Sequence, residues 1–229
     1  MIITIIGGIG QGKTVTAVKH LINRNCKCFV NFPVKHPKAV RLKTSHIIKE
    51  EITYSPKGNE IKKLIINWDF WNEEMKKEGF DIYIDEVHNV ANSRRSLSKW
   101  NTLFTTFLTQ IRKVLGDSEL HNLYLITQRI SGVDIVIRDL SAEIIFLEKY
   151  NTTGKIPTKV LKNNKTIIKN IPKTWIVETK FKGTYALDKL NAWLCGSGQY
   201  DSKSYYLANY YFRFYDSYTI VRFGESTYV

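Results

Sequence analysis

Positions 7–14 of the sequence read Gly7-Gly8-Ile9-Gly10-Gln11-Gly12-Lys13-Thr14. This stretch fits the pattern G-x-x-x-x-G-K-[ST], in which a glycine-rich loop turns its backbone N–H groups toward a phosphate. The apolar run MIITII comes before the loop, and apolar residues at helical spacing follow it over 12–23. The motif requires a buried strand before the loop and a helix after it, because the helix N-terminus also attracts the phosphate. The sequence therefore predicts a phosphate-binding loop in an α/β fold.

The side chains of such a loop have defined roles. Lys13 is expected to reach the β- and γ-phosphates of a nucleotide, and the hydroxyl of Thr14 is expected to ligate a metal ion. The predicted cofactors are therefore ATP and Mg²⁺. The alternative is a chance glycine-rich turn, and the flanking strand and helix argue against it. The predicted nucleotide-binding residues are Gly7, Gly8, Gly10, Gln11, Gly12, Lys13, Thr14 and Val15.

Two adjacent acids follow an apolar strand predicted at 80–84. Asp85, at the carboxyl end of that strand, is predicted to hold the Mg²⁺ ion through water, together with Thr14. Glu86 is predicted to be the catalytic base that takes a proton from the attacking water. An acidic pair alone is a weak signal, because many strands end in aspartate, and a solvated loop residue is the alternative for Glu86. The phosphate loop in the same chain favours the catalytic interpretation.

Another polar residue follows the next predicted strand, at 122–127. In an open α/β sheet, ligands bind at the carboxyl ends of the strands, so Gln128 is placed to orient water or to sense the γ-phosphate. A simple turn residue is the alternative. Arginines after the acids, among them Arg95 and Arg112, are candidates for a finger that reaches the nucleotide of a neighbouring subunit. For any one arginine the alternative is a solvated or DNA-facing charge.

The order of predicted elements favours a mainly parallel sheet. A strand, the phosphate loop, a helix and a second strand at 27–32 follow one another, and a long helix is predicted at 96–115. Alternation of this kind is typical of parallel sheets with helices on both faces, so we expect a three-layer α/β sandwich. Residues 1–149 are predicted to form the ATPase core. Residues 150–229 are predicted to form a β-rich extension packed on the same domain, with a hairpin or arm at 151–174.

Charge and cysteine content indicate which partners and which cellular compartment to expect. There are 34 lysines and arginines against 21 acids, giving a formal net charge of +13. This excess predicts attraction to a polyanion such as nucleic acid or an anionic membrane, and a lysine-rich composition bias is the alternative. Three cysteines without a C-x-x-C pair fit neither a zinc site nor a disulfide framework, so we expect a reducing, intracellular setting in the host cytoplasm.

Two further features of the sequence bear on partners. No run approaches the roughly 18 apolar residues needed to cross a bilayer, so the chain is expected to be soluble by itself and to reach membranes or virions only through partners. The C-terminal region is rich in tyrosine and phenylalanine over 205–218. Such residues can stack on bases, but packing in the core of a sheet is the favoured interpretation.

The combined order of motifs resembles the FtsK–HerA superfamily of DNA-pumping ATPases, and within it the Zot-like ATPases of viruses and phages. The resemblance covers residues 1–149. Its segments are GGIGQGKT, YIDEVHNVANSRRS, a helix ending in QIRK, and LYLITQRISGVDIVIRD. The last of these contains the Thr127-Gln128 strand end followed by Asp134 and Arg138, and the second contains His88 after the acidic pair.

The resemblance implies a set of site residues and partners. It implies Lys13 and Thr14 on nucleotide and metal, Asp85 on Mg²⁺, Glu86 as base and Gln128 as polar sensor. Arg112 matches the basic position in the helix before the sensor strand, and Arg95 matches the arginine after the acids. Either is a candidate trans finger, with Arg112 favoured. Proteins of this kind work as ring homo-oligomers, usually hexamers, on double-stranded DNA, with capsid, portal or membrane proteins of a virus as partners.

Three functions are compatible with these features. Zot-like proteins of filamentous phages generally continue into a membrane-spanning segment that this sequence lacks, so a viral genome-packaging motor is the expected function. The second is an assembly ATPase that acts on virion proteins at a membrane. The third is a nucleotide-dependent switch or small-molecule kinase, which the Asp85-Glu86 pair and the absence of an arginine-rich lid disfavour.

Overall fold

Strands that the sequence marks as apolar runs form most of the central sheet. The computed structural model describes residues 1–90, 99–115, 120–133, 138–159 and 166–215. Within these ranges the strands are β1 (Ile2–Ile6), β2 (Lys27–Val30), β3 (Ala39–Arg41), β4 (Ile48–Tyr54), β5 (Glu60–Ile66), β6 (Phe80–Ile84), β7 (Asn122–Thr127), β8 (Glu143–Lys159), β9 (Thr166–Lys182) and β10 (Ser202–Leu207).

The main sheet has eight strands in the order β10-β9-β8-β1-β7-β6-β2-β3. The six strands from β8 to β3 are mutually parallel. The remaining two strands, β9 and β10, extend the sheet beyond β8. Strand β9 is antiparallel to β8, and β10 is antiparallel to β9. Because β1, β6 and β7 are adjacent and parallel, their carboxyl ends meet at one edge of the sheet, where ligands bind in folds of this kind.

Helices cover both faces of this sheet. The described helices are α1 (Lys13–Arg24), α2 (Thr44–Ile47), α3 (Trp68–Met75), α4 (Val87–Val90), α5 (Lys99–Leu115) and α6 (Ala186–Leu194). Strand side chains alternate between faces, and on β6 this alternation sends Tyr83 into the core beneath α1 and Ile82 into the core beneath α3 and α5. The sheet therefore has helices on both sides, which confirms the predicted three-layer α/β fold with a mainly parallel sheet.

A β-hairpin stands apart from the main sheet. The polar segment TYSPKGNE at 53–60 predicts a turn, and the structure has a tight turn within it, flanked by two paired strands, β4 and β5, that were not predicted. In that turn the N–H of Gly58 donates to the carbonyl of Ser55 at 2.9 Å. The strands were not predicted because IKEEITY and EIKKLII show neither a long apolar run nor a strict alternation of apolar and polar residues. The sequence also predicts a short helical segment at 133–140, of which residues 134–137 lie outside the described residues.

The C-terminal region adds strands, a helix and a short crossing segment. Strand β8 continues past Lys149 and pairs with β9 out to Lys159↔Thr166. Helix α6 packs on β8 and β9 through Leu190 and Phe181. After β10, a 3-10 helix at Ala208–Phe214 passes over α1, and Tyr215 pairs with Val34 beside β2. Residues 208–215 are referred to below as the C-terminal strap.

The aromatic residues of the C-terminal region are divided between core and surface. Tyr206 and Tyr211 pack against the core beneath α1, in line with the favoured interpretation. Tyr205, Tyr210 and Phe212 are exposed. None of the described helices combines the length and apolar character needed to cross a membrane.

Candidate nucleotide-binding site

The phosphate loop joins β1 to α1 in a conformation that depends on glycine. Gly10 and Gly12 have φ angles of +73° and +88°, in the left-handed region that side chains disfavour. The N–H of Gln11 donates to the carbonyl of Gly8 at 3.2 Å, which closes the loop. Helix α1 begins at Lys13 directly after Gly12, so the loop ends at a helix N-terminus. This arrangement is a cradle for a phosphate group.

Gly12 is also fixed by a neighbour from the C-terminal region. A Cβ at this position would lie 2.2 Å from Cδ1 of Ile176 on β9. Real Cβ contacts are essentially never that short, so a side chain at position 12 would force the end of the Ile176 side chain or the loop to move. A second contact joins the loop to β8, because the N–H of Lys149 donates to Oε1 of Gln11 at 2.6 Å.

Lys13 lies folded against the loop. Its Nζ donates to the carbonyl of Gly8 at 3.0 Å, and its side chain is buried. Burial lowers the pKa of Lys13, while the nearby charges of Glu86 and Asp85 raise it in part. The cation is therefore held next to two carboxylates at the place where a phosphate would sit.

Thr14 and Asp85, the two predicted metal residues, are in direct contact. The Thr14 hydroxyl donates to Oδ2 of Asp85 at 2.8 Å. The other carboxylate oxygen, Oδ1, accepts from the N–H of Glu86 at 2.8 Å. Burial raises the pKa of Asp85, and the charge of Glu86 raises it further, while the Thr14 hydrogen bond lowers it. A buried carboxylate whose charged form is disfavoured is a good position for a cation.

Asn31 holds Asp85 in place, a role that was not predicted. The Asp85 N–H donates to Oδ1 of Asn31 at 2.7 Å, and Nδ2 of Asn31 donates to the Asp85 carbonyl at 2.9 Å. Asn31 follows β2 and is 1% exposed. The pair of hydrogen bonds ties the end of β6 to the end of β2 and fixes the carboxylate relative to the loop.

The donor set fits Mg²⁺. Among the described residues, no group of three or more histidines, cysteines or acids is placed to hold a metal alone. Mg²⁺ commonly takes one or two protein oxygens and completes its octahedral shell with water and phosphate oxygens. The Thr14 hydroxyl and the Asp85 carboxylate are such oxygens, and the phosphate cradle lies beside them.

Glu86 lies within a small polar network at the edge of the sheet. Its φ angle is 55°, an uncommon left-handed value for a residue with a side chain. Nε2 of Gln128 lies 3.4 Å from Oε1 of Glu86, and Nε2 of His88 lies 3.1 Å from Oε2. Nδ1 of His88 is in turn 3.3 Å from the hydroxyl of Thr127. His88 and Thr127 thus support the acid, although the sequence assigned neither a role.

A cavity of about 360 Å³ connects these groups. The phosphate loop, Glu86 and Gln128 line one part of it. Its other walls come from Lys149 on β8, Ile176 on β9 and the C-terminal strap. Cavities of this size are typical of small-molecule sites. Asp85 is not in contact with the cavity and is reached through Thr14.

Comparison with known proteins gives the family. The zonular occludens toxin (Zot) family matches residues 1–180 of the 229-residue chain. The chain belongs to the Zot family. The Zot-like resemblance of the motif order is thereby confirmed. No curated protein gives a significant match.

Several solved structures are similar to this Zot-family protein. The N-terminal domain of zonular occludens toxin from Neisseria meningitidis is 16% identical, with 94% of this chain and 98% of that chain covered and a TM-score of 0.49. B204, the DNA-packaging ATPase of Sulfolobus turreted icosahedral virus, is 16% identical over 63% of this chain and 74% of its own, with a TM-score of 0.38. The genome packaging NTPase B204 from Sulfolobus turreted icosahedral virus 2, in complex with ATP-gammaS, is 12% identical over 63% of this chain and 73% of its own, with a TM-score of 0.37.

The predicted arginines of this Zot-family chain are not tested by the geometry. Arg95 lies outside the described residues. Arg112 lies within α5, which packs on the face of the sheet opposite α1. Both remain predictions. The other predicted residues, from Gly7 to Val15 together with Asp85, Glu86 and Gln128, lie together at the carboxyl edge of the sheet.

Proposed function

We propose that this protein hydrolyses ATP with Mg²⁺ and uses the energy to move double-stranded DNA, with packaging of a viral genome as its task. The 2.8 Å hydrogen bond between Thr14 and Asp85 carries the proposal, because it joins the two metal residues beside a phosphate cradle. Glu86 and Gln128 face the same cavity, so the groups for hydrolysis adjoin the groups for binding.

Binding of the phosphates begins with the loop and Lys13. The Nζ of Lys13 now donates to the Gly8 carbonyl, and on nucleotide binding it exchanges that partner for phosphate oxygens. The N–H groups of the loop and of the first turn of α1 supply further donors. Thr14 and Asp85 would hold Mg²⁺, which would supply positive charge to neutralise the phosphate oxygens.

Glu86 acts as the base. Its carboxylate takes a proton from water as that water attacks the γ-phosphorus and the bond to the β–γ bridging oxygen breaks. Gln128, whose Nε2 is 3.4 Å from Glu86 Oε1, orients the same water. His88 holds the second carboxylate oxygen and so limits the rotation of the side chain.

The charge distribution supports DNA as the substrate that is moved. The formal net charge is +13. Between Glu148 and Glu178 the sequence has no acid and seven lysines, which are Lys149, Lys155, Lys159, Lys162, Lys165, Lys169 and Lys173. Most of this stretch forms the paired strands β8 and β9, and a two-stranded ribbon is narrow enough to enter the major groove of DNA. The FtsK–HerA-like order of motifs also favours DNA.

A ring of several copies completes the proposal. Among the described residues that line the cavity, none is an arginine. Transition-state charge in related reactions is commonly stabilised by an arginine from a neighbouring subunit. Arg112 is the favoured candidate for this finger and Arg95 the second, in a homo-oligomer, by expectation a hexamer, docked on a capsid or portal protein.

The test is the ATPase rate with Mg²⁺, measured with and without double-stranded DNA for the wild type and Glu86→Gln. Stimulation by DNA that weakens as salt rises, together with loss of turnover in Glu86→Gln, is the expected result. An assembled protein whose ATPase ignores DNA would instead support a protein substrate at a membrane. Full activity in Glu86→Gln would exclude Glu86 as the base.

A further inference from the structure

The cavity continues past the phosphate loop to a wall made by the C-terminal half of the chain. Ile176 of β9 and Phe212 and Tyr215 of the C-terminal strap line this end. Glu86 and Gln128, at the ends of β6 and β7, line the same cavity. A nucleotide whose phosphates lie on the loop therefore has β9 and the strap among the walls that can contact its nucleoside.

The strap is anchored on both sides of α1. The Phe214 carbonyl accepts from the N–H of Lys35 at 2.6 Å, and Tyr215 forms an antiparallel bridge with Val34. At the other side, the N–H of Thr174 on β9 donates to the side chain of Asn209 at 2.8 Å. The wall is thus held in place by hydrogen bonds to β9 and to the segment after β2.

The rings of the strap fall into two groups. Tyr210 contacts Tyr211 and Phe214, with ring centroids 5.0 Å and 5.7 Å away. Phe212 and Tyr215, in contrast, contact no other ring among the described aromatic residues, and these are the two strap rings that line the cavity. The strap therefore packs its other rings together and leaves two ring surfaces for a ligand.

Phe212 is not buried in the core. It is 41% exposed although it is large and apolar. A nucleobase has an apolar face of similar size, and stacking on an aromatic side chain tolerates any base because each presents a π-face. Lys149 adds a charge between this wall and the loop, with its Nζ 3.9 Å from the Cβ position of Gly10.

We propose that the C-terminal strap forms the nucleobase subsite, with the base stacked on Phe212 and bordered by Tyr215 and Ile176. The proposal rests on the proposed binding of ATP by the phosphate loop. It assigns the two ends of one ligand to different parts of the chain, phosphates to the N-terminal motif and base to the strap.

The test separates the base from the phosphates by using two probes, ATP and inorganic tripolyphosphate, each with Mg²⁺. Calorimetric titration gives the Kd of both probes for the wild type, Phe212→Ala, Phe212→Trp and Tyr205→Ala. Tyr205 is a matched control, because it is an exposed ring on β10 that does not line the cavity. Melting curves check that each variant is folded.

We expect Phe212→Ala to raise the Kd for ATP about tenfold, as loss of one base–aromatic stack does, and to leave the Kd for tripolyphosphate unchanged. Phe212→Trp and Tyr205→Ala should retain wild-type binding of both probes. Equal effects of Phe212→Ala on the two probes, or no effect on ATP, would overturn the subsite. A wild type that binds tripolyphosphate as tightly as ATP overturns the subsite and spares the phosphate loop, whereas a wild type that binds neither overturns both.

Discussion

The Thr14 hydroxyl donates a 2.8 Å hydrogen bond to Oδ2 of Asp85, which joins the start of α1 to the end of β6. The two residues are 71 positions apart in the sequence. The bond brings the two proposed metal ligands together, and it also keeps a buried carboxylate next to the phosphate loop. Asp85 is 3% exposed, so water does little to stabilise its charge.

The ionised carboxylate of Asp85 is therefore expected to lower the free energy of unfolding of the nucleotide-free protein. Burial raises its pKa above the ordinary value of 3.8, so the folded state binds the proton more tightly than the unfolded state. This contribution to stability is present at low pH and is lost as pH rises through the folded pKa. At neutral pH, Asp85→Asn should raise the melting temperature without nucleotide and abolish Mg²⁺-dependent ATPase activity.

The check is a set of melting curves for both proteins from pH 4 to pH 8 in buffer free of divalent ions. The advantage of Asp85→Asn should shrink as pH falls. A variant that melts below the wild type at neutral pH would show that the carboxylate stabilises the fold. Thr14→Ser serves as the control, because it keeps the hydroxyl and should keep activity.

Gln128 should affect turnover and spare binding. Its Nε2 approaches Glu86 Oε1 at 3.4 Å, and it lines the cavity opposite the loop. Gln128→Ala removes the group proposed to orient water beside Glu86, the proposed base, so kcat should fall about tenfold or more. The Kd for ATP should stay within about twofold, because ground-state binding depends on the loop and Lys13. A parallel loss of binding would place Gln128 on the ground-state nucleotide instead.

Asn31 should prove important for stability. Asn31→Ala leaves the buried N–H and carbonyl of Asp85 without partners, at an expected loss of about 2 kcal/mol or more in the free energy of unfolding. Urea denaturation measures this loss. Asn151→Ala, at an exposed position on β8, is the control and should change stability by less than about 0.5 kcal/mol. Equal stabilities of the two variants would mean that the hydrogen bonds seen at Asn31 add little.

Gly12 and Ile176 should be energetically coupled. Gly12→Ala introduces a Cβ that collides with Cδ1 of Ile176, in addition to roughly 1 kcal/mol for its positive φ. Ile176→Val deletes that one atom, so the double variant should be more stable than the sum of the single variants predicts. Urea denaturation of all four proteins gives the coupling. Simple additivity would show that the loop can move away from β9.

The lysines of the β8–β9 ribbon should dominate the salt dependence of DNA binding. Each phosphate contact contributes about 0.9 to the slope of log K against log salt, so Lys155→Gln, Lys159→Gln and Lys169→Gln together should reduce it by up to about 3. A matched triple variant on the β4–β5 hairpin, at Lys57, Lys62 and Lys63, removes the same charge from exposed positions. Equal effects would indicate that only net charge matters.

The predictable part of this protein is the part that is local in sequence. The loop at 7–14 carries its own signature, and the acids at the end of β6 follow an apolar run. The contact of Thr14 with Asp85 follows because the carboxyl ends of β1 and β6, on either side of β7, lie at one edge of a parallel sheet. The parallel direction of β8, β1, β7 and β6 could be predicted because alternating strands and helices allow few other arrangements.

The unpredicted part depends on residues distant in sequence. Asn31 looks like any polar residue after a strand, and only its position beside β6 gives it two hydrogen bonds to Asp85. Phe212 belongs to an aromatic run whose pattern does not show which rings face a ligand. The strands β4 and β5 were missed because a hairpin exposed to water on much of its surface needs no continuous apolar run.

The strap has a consequence for the synthesis of the protein on the ribosome. The cavity is lined both by the phosphate loop and by Tyr215, which is made much later, so a nascent chain holds the whole motif long before it holds a finished site. Until β9 and the strap emerge, Gly12 lacks Ile176 beside it and α1 lacks its outer cover. A ribosome-bound fragment that carries the signature sequence but stops before β9 is therefore expected to hold ATP more weakly than the chain that includes the strap.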